Sequence, residues 1–391
     1  DRSVGGLCSR DSFVGPWQTP VADVAVTIRD FDGYSGECFA LGERGPVAVI
    51  DGPASARLAI GEAITNIAAA GIQKLSDVKL SANWMAACDE DGEDAILFDS
   101  VRALTTETCV ALGISIPVGK DYLSMKTTWL DKKKVRQVTS PMTVVISAFA
   151  PLLDVRETLT PQLVADQTSV LLLVDLSGGK CRMGGSAICQ TYRISQGVPP
   201  DLDSSNILKQ FFSAIQTLIS TSKILAYHDR SDGGLFVTLA EMMFASHIGV
   251  DIDLGSSNYS AIEELFNEEL GAVLQIRKKD FDSVLKCFTN LGLEKYVRQI
   301  GKINRAGVMT IKHQNQKIFN ASGAYLNRLW SETSFKMQEL RDNPVCAKAE
   351  FDSLLDVKDP GLSIKLSFDL AQKIGSSYIS KKIKPKVAIL R

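Results

Sequence analysis

Long apolar runs are absent from this sequence. No stretch reaches the ~20 consecutive apolar residues that a transmembrane helix needs, and the N-terminus shows no signal-peptide pattern. The formal net charge is only −2 over 391 residues, which argues against a dedicated nucleic-acid-binding protein. We therefore expect neither a nucleic acid nor a membrane among its partners.

Paired cysteines are missing as well. The eight cysteines include no CxxC pair, so zinc ligation is not expected, and a disulfide framework is improbable in a chain of this length. They are scattered through apolar segments, which is typical of buried, reduced thiols. This pattern predicts a cytoplasmic protein.

What the sequence does contain is enough apolar material for more than one core, because 45% of its residues are hydrophobic. Strand and helix patterns predict two domains of the α+β or α/β class, with a change to polar, proline-containing sequence between them. We place an N-terminal α+β sheet domain at 1–164 and a C-terminal α/β domain at 165–342. The polar residues 343–391 are interpreted as a connecting segment. It closes on 387–390, which resembles a first strand without a partner, so we expect a piece of a longer polypeptide.

The apolar run 46–51 is predicted to be a buried strand that leads into the segment 51–71, which carries the clearest helix signals of the chain. Pro53 suits a first helical turn, Gly71 suits a stop, and the alanines between them favour helix. Glu62 and Asn66 are four residues apart and share a face. Together they can ligate a hard cation such as Mg²⁺, although an ordinary surface pair has the same spacing.

Two aspartates are further candidates for oxygen ligands. Asp23 is a lone carboxylate in a predicted strand, 21–27, where it must be solvated, paired or bound to a metal. Asp229 ends a predicted strand, at the edge where ligands commonly bind in α/β sheets. Its neighbour His228 is by itself more often a packed histidine than a ligand. Ser231 and Asp232 are predicted to cap the helix 234–246.

Glycine-rich turns provide possible phosphate sites. Gly178-Gly179 and Gly184-Gly185-Ser186 lead from a strand into a helix, and such turns can hold phosphate through backbone N–H groups. A plain strand-to-helix turn without any ligand has the same sequence pattern. The tripeptide 119–121, Gly-Lys-Asp, follows a short predicted strand but lacks the glycine spacing of a P-loop. The run 131–136 is predicted to be a hairpin tip between 125–130 and 143–149.

Longer stretches carry a resemblance to a known family. In chain order they are DRSVGGLCSRDSFVGPWQTPVADVAVT, SARLAIGEAITNIAAA, KLSANWMAA, PVGKDYLSMKT, AYHDRSDGGL, FNEELGAV and LRDNP…DPGL. They resemble the large phosphoribosylformylglycinamidine synthase of purine biosynthesis, in its second synthetase half. The resemblance implies a fold like half of an aminoimidazole ribonucleotide synthetase pair, followed by a glutaminase domain that starts near the C-terminal KPKVAILR.

That resemblance also implies a reaction and a ligand set. Glutamine supplies ammonia, ATP activates the amide of formylglycinamide ribonucleotide, and the amidine forms. Carried over by position, one group of residues is similar to the family's Mg²⁺ ligands and another to its nucleotide contacts. The metal ligands are Asp23, Glu62, Asn66 and Asp229, and the nucleotide contacts are Ala22 and Ser231.

The family is thought to use one of two related nucleotide sites for turnover and to hold a nucleotide tightly in the other. The residues above resemble the tightly held set, so no catalytic residue is assigned. The resemblance therefore implies binding of ATP or ADP with Mg²⁺. The alternative is a non-catalytic half that only completes its partner's active site.

The resemblance implies partners within the same polypeptide, a first synthetase half and a glutaminase domain, and pairing of two copies of this chain is plausible. We expect the isolated chain to be inactive. One departure from the family is Tyr122 after Gly-Lys-Asp, where a small hydroxyl residue is usual. This departure makes Lys120 and Asp121 weaker candidates for functional residues.

Overall fold

The computed structural model describes residues 6–369 and 386–388. Its N-terminal half is built on a six-stranded sheet of order β1-β2-β3-β8-β4-β5, in which β4 and β5 run parallel and the other neighbours antiparallel. A separate hairpin, β6-β7, projects beside it. The strands are β1 Cys8–Arg10, β2 Ala25–Ile28, β3 Gly36–Glu43, β4 Lys79–Met85, β5 Ser115–Tyr122, β6 Lys126–Asp131, β7 Lys134–Thr139 and β8 Thr143–Leu152.

The N-terminal helices cover one face of this sheet. They are α1 Gly45–Ala48, α2 Gly52–Ile67, α3 Glu93–Arg102 and α4 Val110–Leu112, with a π-helical segment Ala103–Cys109 between the last two. The predicted helix 51–71 is confirmed as α2, and Asp51 caps it by accepting a hydrogen bond from Ala54 N at 2.8 Å. It ends at Ile67, one turn before the expected stop at Gly71.

Small residues let α2 lie directly on strand β3. A Cβ added at Gly42 would be 2.2 Å from the backbone oxygen of Ala59 and 2.4 Å from the backbone nitrogen of Ala63. Real Cβ atoms do not come this close to backbone atoms, so only glycine fits at position 42. The close approach fixes α2, and with it Glu62, against the end of β3.

The C-terminal half contains a seven-stranded sheet of order β10-β12-β9-β13-β11-β14-β15, again antiparallel except for one parallel pair, β11 and β14. The predicted mixed class of helices and sheets is confirmed, and this second sheet is closer to α+β than to a parallel α/β sheet. The strands are β9 Ser169–Asp175, β10 Ile224–Asp229, β11 Gly249–Asp253, β12 Gly271–Arg277, β13 Val297–Asn304, β14 Val308–His313 and β15 Gln316–Ser322.

Helices cover both faces of the second sheet. Apolar residues of α6 and α9 pack on one face, and those of α7 and α10 on the other. Alternate residues of β9 feed the two cores, with Leu172 on the first face and Leu171 and Leu173 on the second. The helices are α5 Ala187–Thr191, α6 Ser205–Ser220, α7 Gly234–Ser246, α8 Ala261–Phe266, α9 Phe281–Asn290, α10 Gly323–Arg341 and α11 Pro344–Ser353.

The two halves share one continuous apolar core, and polar contacts reinforce the junction. The Tyr227 hydroxyl donates to the Thr65 carbonyl at 2.6 Å. The Gln216 side chain accepts from Ile72 N at 2.8 Å and donates to the Ala68 carbonyl at 3.0 Å. The end of α2 is therefore held against strand β10 and helix α6 of the other half.

Several local predictions were wrong. The apolar run 46–51 is not a strand, because helix α1 begins at Gly45 with Pro46 in its first turn, and a turn follows. A short apolar run does not distinguish strand from helix. The segment 119–121 lies in strand β5 rather than in a loop. Strand β6 pairs with β7 through a turn at 132–133, so the segment 143–149 is not its partner.

The C-terminal prediction also needs correction. The segment after Pro344 was predicted to be a connection, but it begins with helix α11, which packs on α10 by stacking Phe351 on Phe335 with ring centroids 4.2 Å apart. Strand β15 was not predicted. The predicted strand 387–390 extends past the described residues, and Ile389 and Leu390 lie outside them.

Within the part of the chain that the structure describes, no two cysteines form a disulfide, and the cysteines are not uniformly buried. Cys38, Cys109 and Cys189 are buried, Cys346 is exposed and the others are half-buried. Among the described residues, no helix combines the length and the apolarity that a membrane crossing requires.

Candidate functional site

Asp23 lies in the connection before β2 and reaches the C-terminal half. Because β2 begins at Ala25, Asp23 is not a strand residue as predicted. Its carboxylate is fully buried and accepts a hydrogen bond from the backbone N–H of Asp229 at 2.9 Å. The same oxygen is 2.9 Å from His228 Nδ1. Contacts across the domain junction therefore set its position.

His228 and Asp229 occupy the end of strand β10. The strand pairs with β12, so its last residues are held in register up to Asp229 and Ala272. His228 Nε2 is 2.8 Å from the carboxylate of Glu241, on helix α7. Both ring nitrogens thus face carboxylates, and a chain of side chains runs from Asp23 through His228 to Glu241.

The two aspartates and the histidine form a group with metal-binding geometry. Ligand atoms from Asp23, His228 and Asp229 all lie within 4.8 Å of one another, and all three residues are buried. One oxygen of each carboxylate, Asp23 Oδ2 and Asp229 Oδ2, is buried without a hydrogen-bond partner. Unpaired buried carboxylate oxygens are costly in free energy, and a hard cation is the usual group that removes this cost. The residues therefore fit a divalent cation.

The pKa values of Asp229 and His228 also reflect the crowding of acidic groups at this point. Burial, and then the negative charge of Asp23, raise the pKa of Asp229 well above its ordinary value. Burial by itself would lower the pKa of His228, but Asp23 and Glu241 outweigh it and the net pKa lies well above its ordinary value. Acidic groups from both halves, Asp23, Asp229 and Glu241, are thus crowded around one buried histidine.

Glu62 lies next to this group but outside its 4.8 Å radius. Its carboxylate accepts from the backbone N–H of Glu43 at 2.9 Å and lies 3.5 Å from Arg44 Nε. Burial raises the pKa of Glu62 to about 7, against the opposing effect of Arg44. The charge of Glu62 in turn raises the pKa of Asp229. These two carboxylates therefore interact, although they come from different halves.

Asn66 is half-buried and lies on the same face of α2 as Glu62, one turn away. Its Nδ2 donates to the backbone carbonyl of Leu41 at 3.0 Å, which leaves the side-chain oxygen as the atom available to a cation. Of the four predicted metal ligands, the structure brings Asp23 and Asp229 together and places Glu62 beside them. Asn66 makes no hydrogen bond to these three.

Arg44 is the cation of this region. Its side chain is only 2% exposed, and Nη1 lies 2.8 Å from Asp232 and 3.6 Å from Glu268. Burial lowers the pKa of Arg44, but Glu62, Asp232 and Glu268 more than compensate and raise it. The guanidinium joins the end of β3 to the segment after β10.

The helix entrances of the C-terminal half are occupied by the protein's own carboxylates. Glu268 Oε1 accepts from the backbone N–H groups of Ala187 and Gly233, both at 2.8 Å. The predicted phosphate turn at Gly178-Gly179 is closed in the same way, because Gly179 N donates to Asp175 at 3.0 Å. These N–H groups are therefore already satisfied.

The remaining predicted residues take different positions. Ala22 precedes Asp23 and is half-buried, and Ser231 follows the end of β10 and is also half-buried. Ser231 and Asp232 do not cap α7, whose N-cap is Gly233 without a side-chain hydrogen bond. The exposed segment 120–122 lies in edge strand β5, which β4 and β8 separate from β3.

Sequence reasoning missed Arg44, Glu241 and Glu268. No local spacing pattern marks them, since each acts on a residue far away in the chain. Glu268 stands within FNEELGAV, one of the stretches that carried the family resemblance. It was the only one of the three for which the sequence offered a signal.

Each half of the chain matches a model of a known domain family. A family model described as the FGAR-AT PurM_N-like domain matches residues 1–151, and one described as the C-terminal domain of AIR synthase related proteins matches residues 170–314. The chain is a PurL-like synthetase half.

Solved structures share the fold of this PurL-like half. Thermotoga maritima PurL complexed with ADP has a TM-score of 0.60 at 11% identity, covering 81% of this chain and 47% of that one. The same protein complexed with FGAR gives 0.59 at 12% identity, covering 78% and 47%. Escherichia coli HypE, a hydrogenase maturation protein, gives 0.52 at 16% identity, covering 72% and 84%. The chain thus spans about half the length of the PurL chains.

Proposed function

We propose that this PurL-like half binds a Mg²⁺–nucleotide complex, ATP or ADP, at the junction of its two halves. The observation that carries the proposal is the meeting of Asp23 and Asp229, two buried carboxylates from different halves, each with an unpartnered oxygen. The T. maritima PurL complex with ADP supports a nucleotide as the ligand.

Mg²⁺ would be held by Asp23, Glu62, Asn66 and Asp229. All four offer oxygen atoms, as this ion prefers. His228 occupies the other oxygen of Asp23, and so leaves Asp23 Oδ2 for the ion. The metal would supply positive charge that neutralises the phosphates. Ala22, through its backbone, and Ser231 would contact the nucleotide, because they flank Asp23 and Asp229 in the chain.

For the whole protein we propose the synthesis of the amidine from formylglycinamide ribonucleotide, glutamine and ATP. It would be an ATP-dependent carbon–nitrogen ligase of purine biosynthesis, with glutamine as amide donor. The PurL complex with FGAR supports this substrate. Because this chain spans about half of the PurL chains, we expect it to be inactive by itself. A cytoplasmic location remains part of the proposal.

One observation favours the alternative in which this half holds its nucleotide without turning it over. Glu268 already satisfies the backbone N–H groups of Ala187 and Gly233. An internal carboxylate at these helix entrances takes the place that a further phosphate would use. The bound nucleotide would then stabilise the junction and complete the active site of a partner half.

One face of the six-stranded sheet, which no described element covers, suggests where a partner half binds. On the side of the six-stranded sheet away from α2, Phe39 and Phe149 pack with ring centroids 5.0 Å apart. Leu41 and Phe149 are 47% and 46% exposed. Apolar side chains clustered on an exposed sheet face mark an interaction surface. We propose that a second synthetase half, either from the same polypeptide or from a second copy of this chain, covers it.

The test of nucleotide binding is calorimetry with Mg²⁺ and ADP on the wild-type chain and on Asp229→Asn. Loss of a charged ligand should weaken binding by about 10- to 100-fold. Asp280→Asn is the matched control, because Asp280 is a buried aspartate of the same half that pairs with Lys223 at 2.5 Å. Its ADP affinity should stay within about twofold of wild type. Equal affinities of wild type and Asp229→Asn would remove the assignment.

A further inference from the structure

We propose that Arg44 is a phosphate-binding residue of the nucleotide site, with Nη2 as the donor to a phosphate oxygen. The inference rests on the proposed function, because it needs a nucleotide at the junction. It adds a cationic contact to a ligand set that otherwise contains carboxylates, an amide, a backbone group and a hydroxyl.

The first support is an unsatisfied donor. Arg44 is 2% exposed, and its Nη2 and Nε atoms are buried without a hydrogen-bond partner. Arg230 offers a comparison within the same chain, since it is also 2% exposed. Its Nε donates to the Glu269 carbonyl at 2.6 Å, and its Nη2 donates to Asp175 at 2.6 Å. A purely structural buried arginine is thus satisfied in this fold, and Arg44 is not.

The second support is location. Arg44 Nε lies 3.5 Å from Glu62, one of the proposed metal ligands. Nη1 lies 2.8 Å from Asp232, the residue after Ser231. The guanidinium is therefore bordered on one side by a proposed metal ligand and on the other by the neighbour of a proposed nucleotide contact.

The third support is the nature of Asp232, the one residue among those described to which the Arg44 guanidinium donates a hydrogen bond. The side chain of Asp232 is 75% exposed, and an exposed carboxylate held by a single contact contributes little to stability. It can turn to solvent when a phosphate arrives. Arginine donates to phosphate through two parallel N–H groups, so Nη1 and Nη2 would then act together.

The backbone around Arg44 is held independently of that contact. Its carbonyl accepts from the Ser55 hydroxyl on α2 at 2.6 Å. The preceding N–H, of Glu43, donates to Glu62 at 2.9 Å. The side chain therefore starts from a fixed point at the end of β3.

The experiment compares wild type, Arg44→Lys and the matched control Arg230→Lys by calorimetry with ADP at saturating Mg²⁺. Lysine keeps the charge but loses the paired N–H groups. We expect Arg44→Lys to bind ADP about 10- to 100-fold more weakly and Arg230→Lys to bind it within about threefold of wild type. Binding of Mn²⁺ alone, measured by electron paramagnetic resonance, should not weaken in Arg44→Lys.

The outcomes separate the two proposals. If wild type binds Mg²⁺–ADP and Arg44→Lys binds it equally well, the role of Arg44 is refuted while the proposed function stands. A parallel loss of Mn²⁺ affinity would also refute it, because Arg44 would then only position Glu62. Failure of the wild-type chain to bind ADP would remove the proposed function itself.

If Arg44→Lys does not fold, a crystal structure of the wild-type chain with Mg²⁺ and ADP decides. A phosphate oxygen within hydrogen-bond distance of Nη2 supports the inference. Phosphates bound elsewhere, with Arg44 still on Asp232, would overturn it.

Discussion

Replacement of Glu62 by glutamine should stabilise the metal-free chain, and the gain should depend on pH. The Glu62 side chain is 12% exposed, and burial raises its pKa from 4.5 to about 7 despite the nearby Arg44. Each pKa unit corresponds to ~1.4 kcal/mol. At pH 8 the ionised carboxylate therefore costs about 3 kcal/mol of folding free energy relative to a neutral group.

The direction follows from proton binding. Below about pH 4.5 Glu62 is protonated in both the folded and the unfolded chain, and no cost arises. As the pH rises through about 7, the folded chain loses the stability that protonation gave it. Glutamine stays neutral throughout, so the variant should gain about 3 kcal/mol over wild type at pH 8 and less than about 1 kcal/mol at pH 5.

The assay is urea denaturation in EDTA between pH 5 and pH 8.5, with Glu339→Gln as control because Glu339 is exposed on helix α10. The control should follow wild type at every pH. With Mg²⁺ and ADP the order should reverse, since the ligand stabilises only a chain that retains Glu62 as a metal ligand. A Glu62→Gln chain that is less stable than wild type at pH 8 in EDTA would refute this electrostatic account.

Two further predictions concern packing and assembly. Gly42→Ala should destabilise the chain by about 2–4 kcal/mol, because the new Cβ would lie 2.2 Å from a backbone oxygen of α2; Gly33→Ala, whose nearest neighbour would be at 3.4 Å, should cost less than about 1 kcal/mol in the same urea titration. The wild-type chain should self-associate through the Phe39 and Phe149 face in sedimentation velocity, and Phe149→Lys should be monomeric at every concentration. Equal stability of Gly42→Ala and Gly33→Ala would contradict the packing prediction. Equal association of the wild-type chain and Phe149→Lys would contradict the assembly prediction.

Local signals in the sequence found the elements whose boundaries depend on local chemistry. Asp51, Pro53 and the alanines predicted α2 because capping, a fixed φ and helix propensity act within a few residues. The helix 234–246 and the strand that ends at Asp229 were also predicted correctly, although Ser231 and Asp232 do not cap that helix. The strand prediction for 46–51 was wrong because a run of four to six apolar residues is compatible with both a strand and a helical turn.

In the candidate site, too, some features follow from the sequence and others only from the tertiary structure. The sequence by itself determined the oxygen-bearing residues, Asp23, Glu62, Asn66 and Asp229, mostly through long stretches that resemble a family. Only the tertiary structure decided that Asp23 meets Asp229, since 206 residues separate them along the chain. It also revealed Arg44 and Glu268. Their role comes from burial and from distant charges, and neither quantity exists until the two halves pack together.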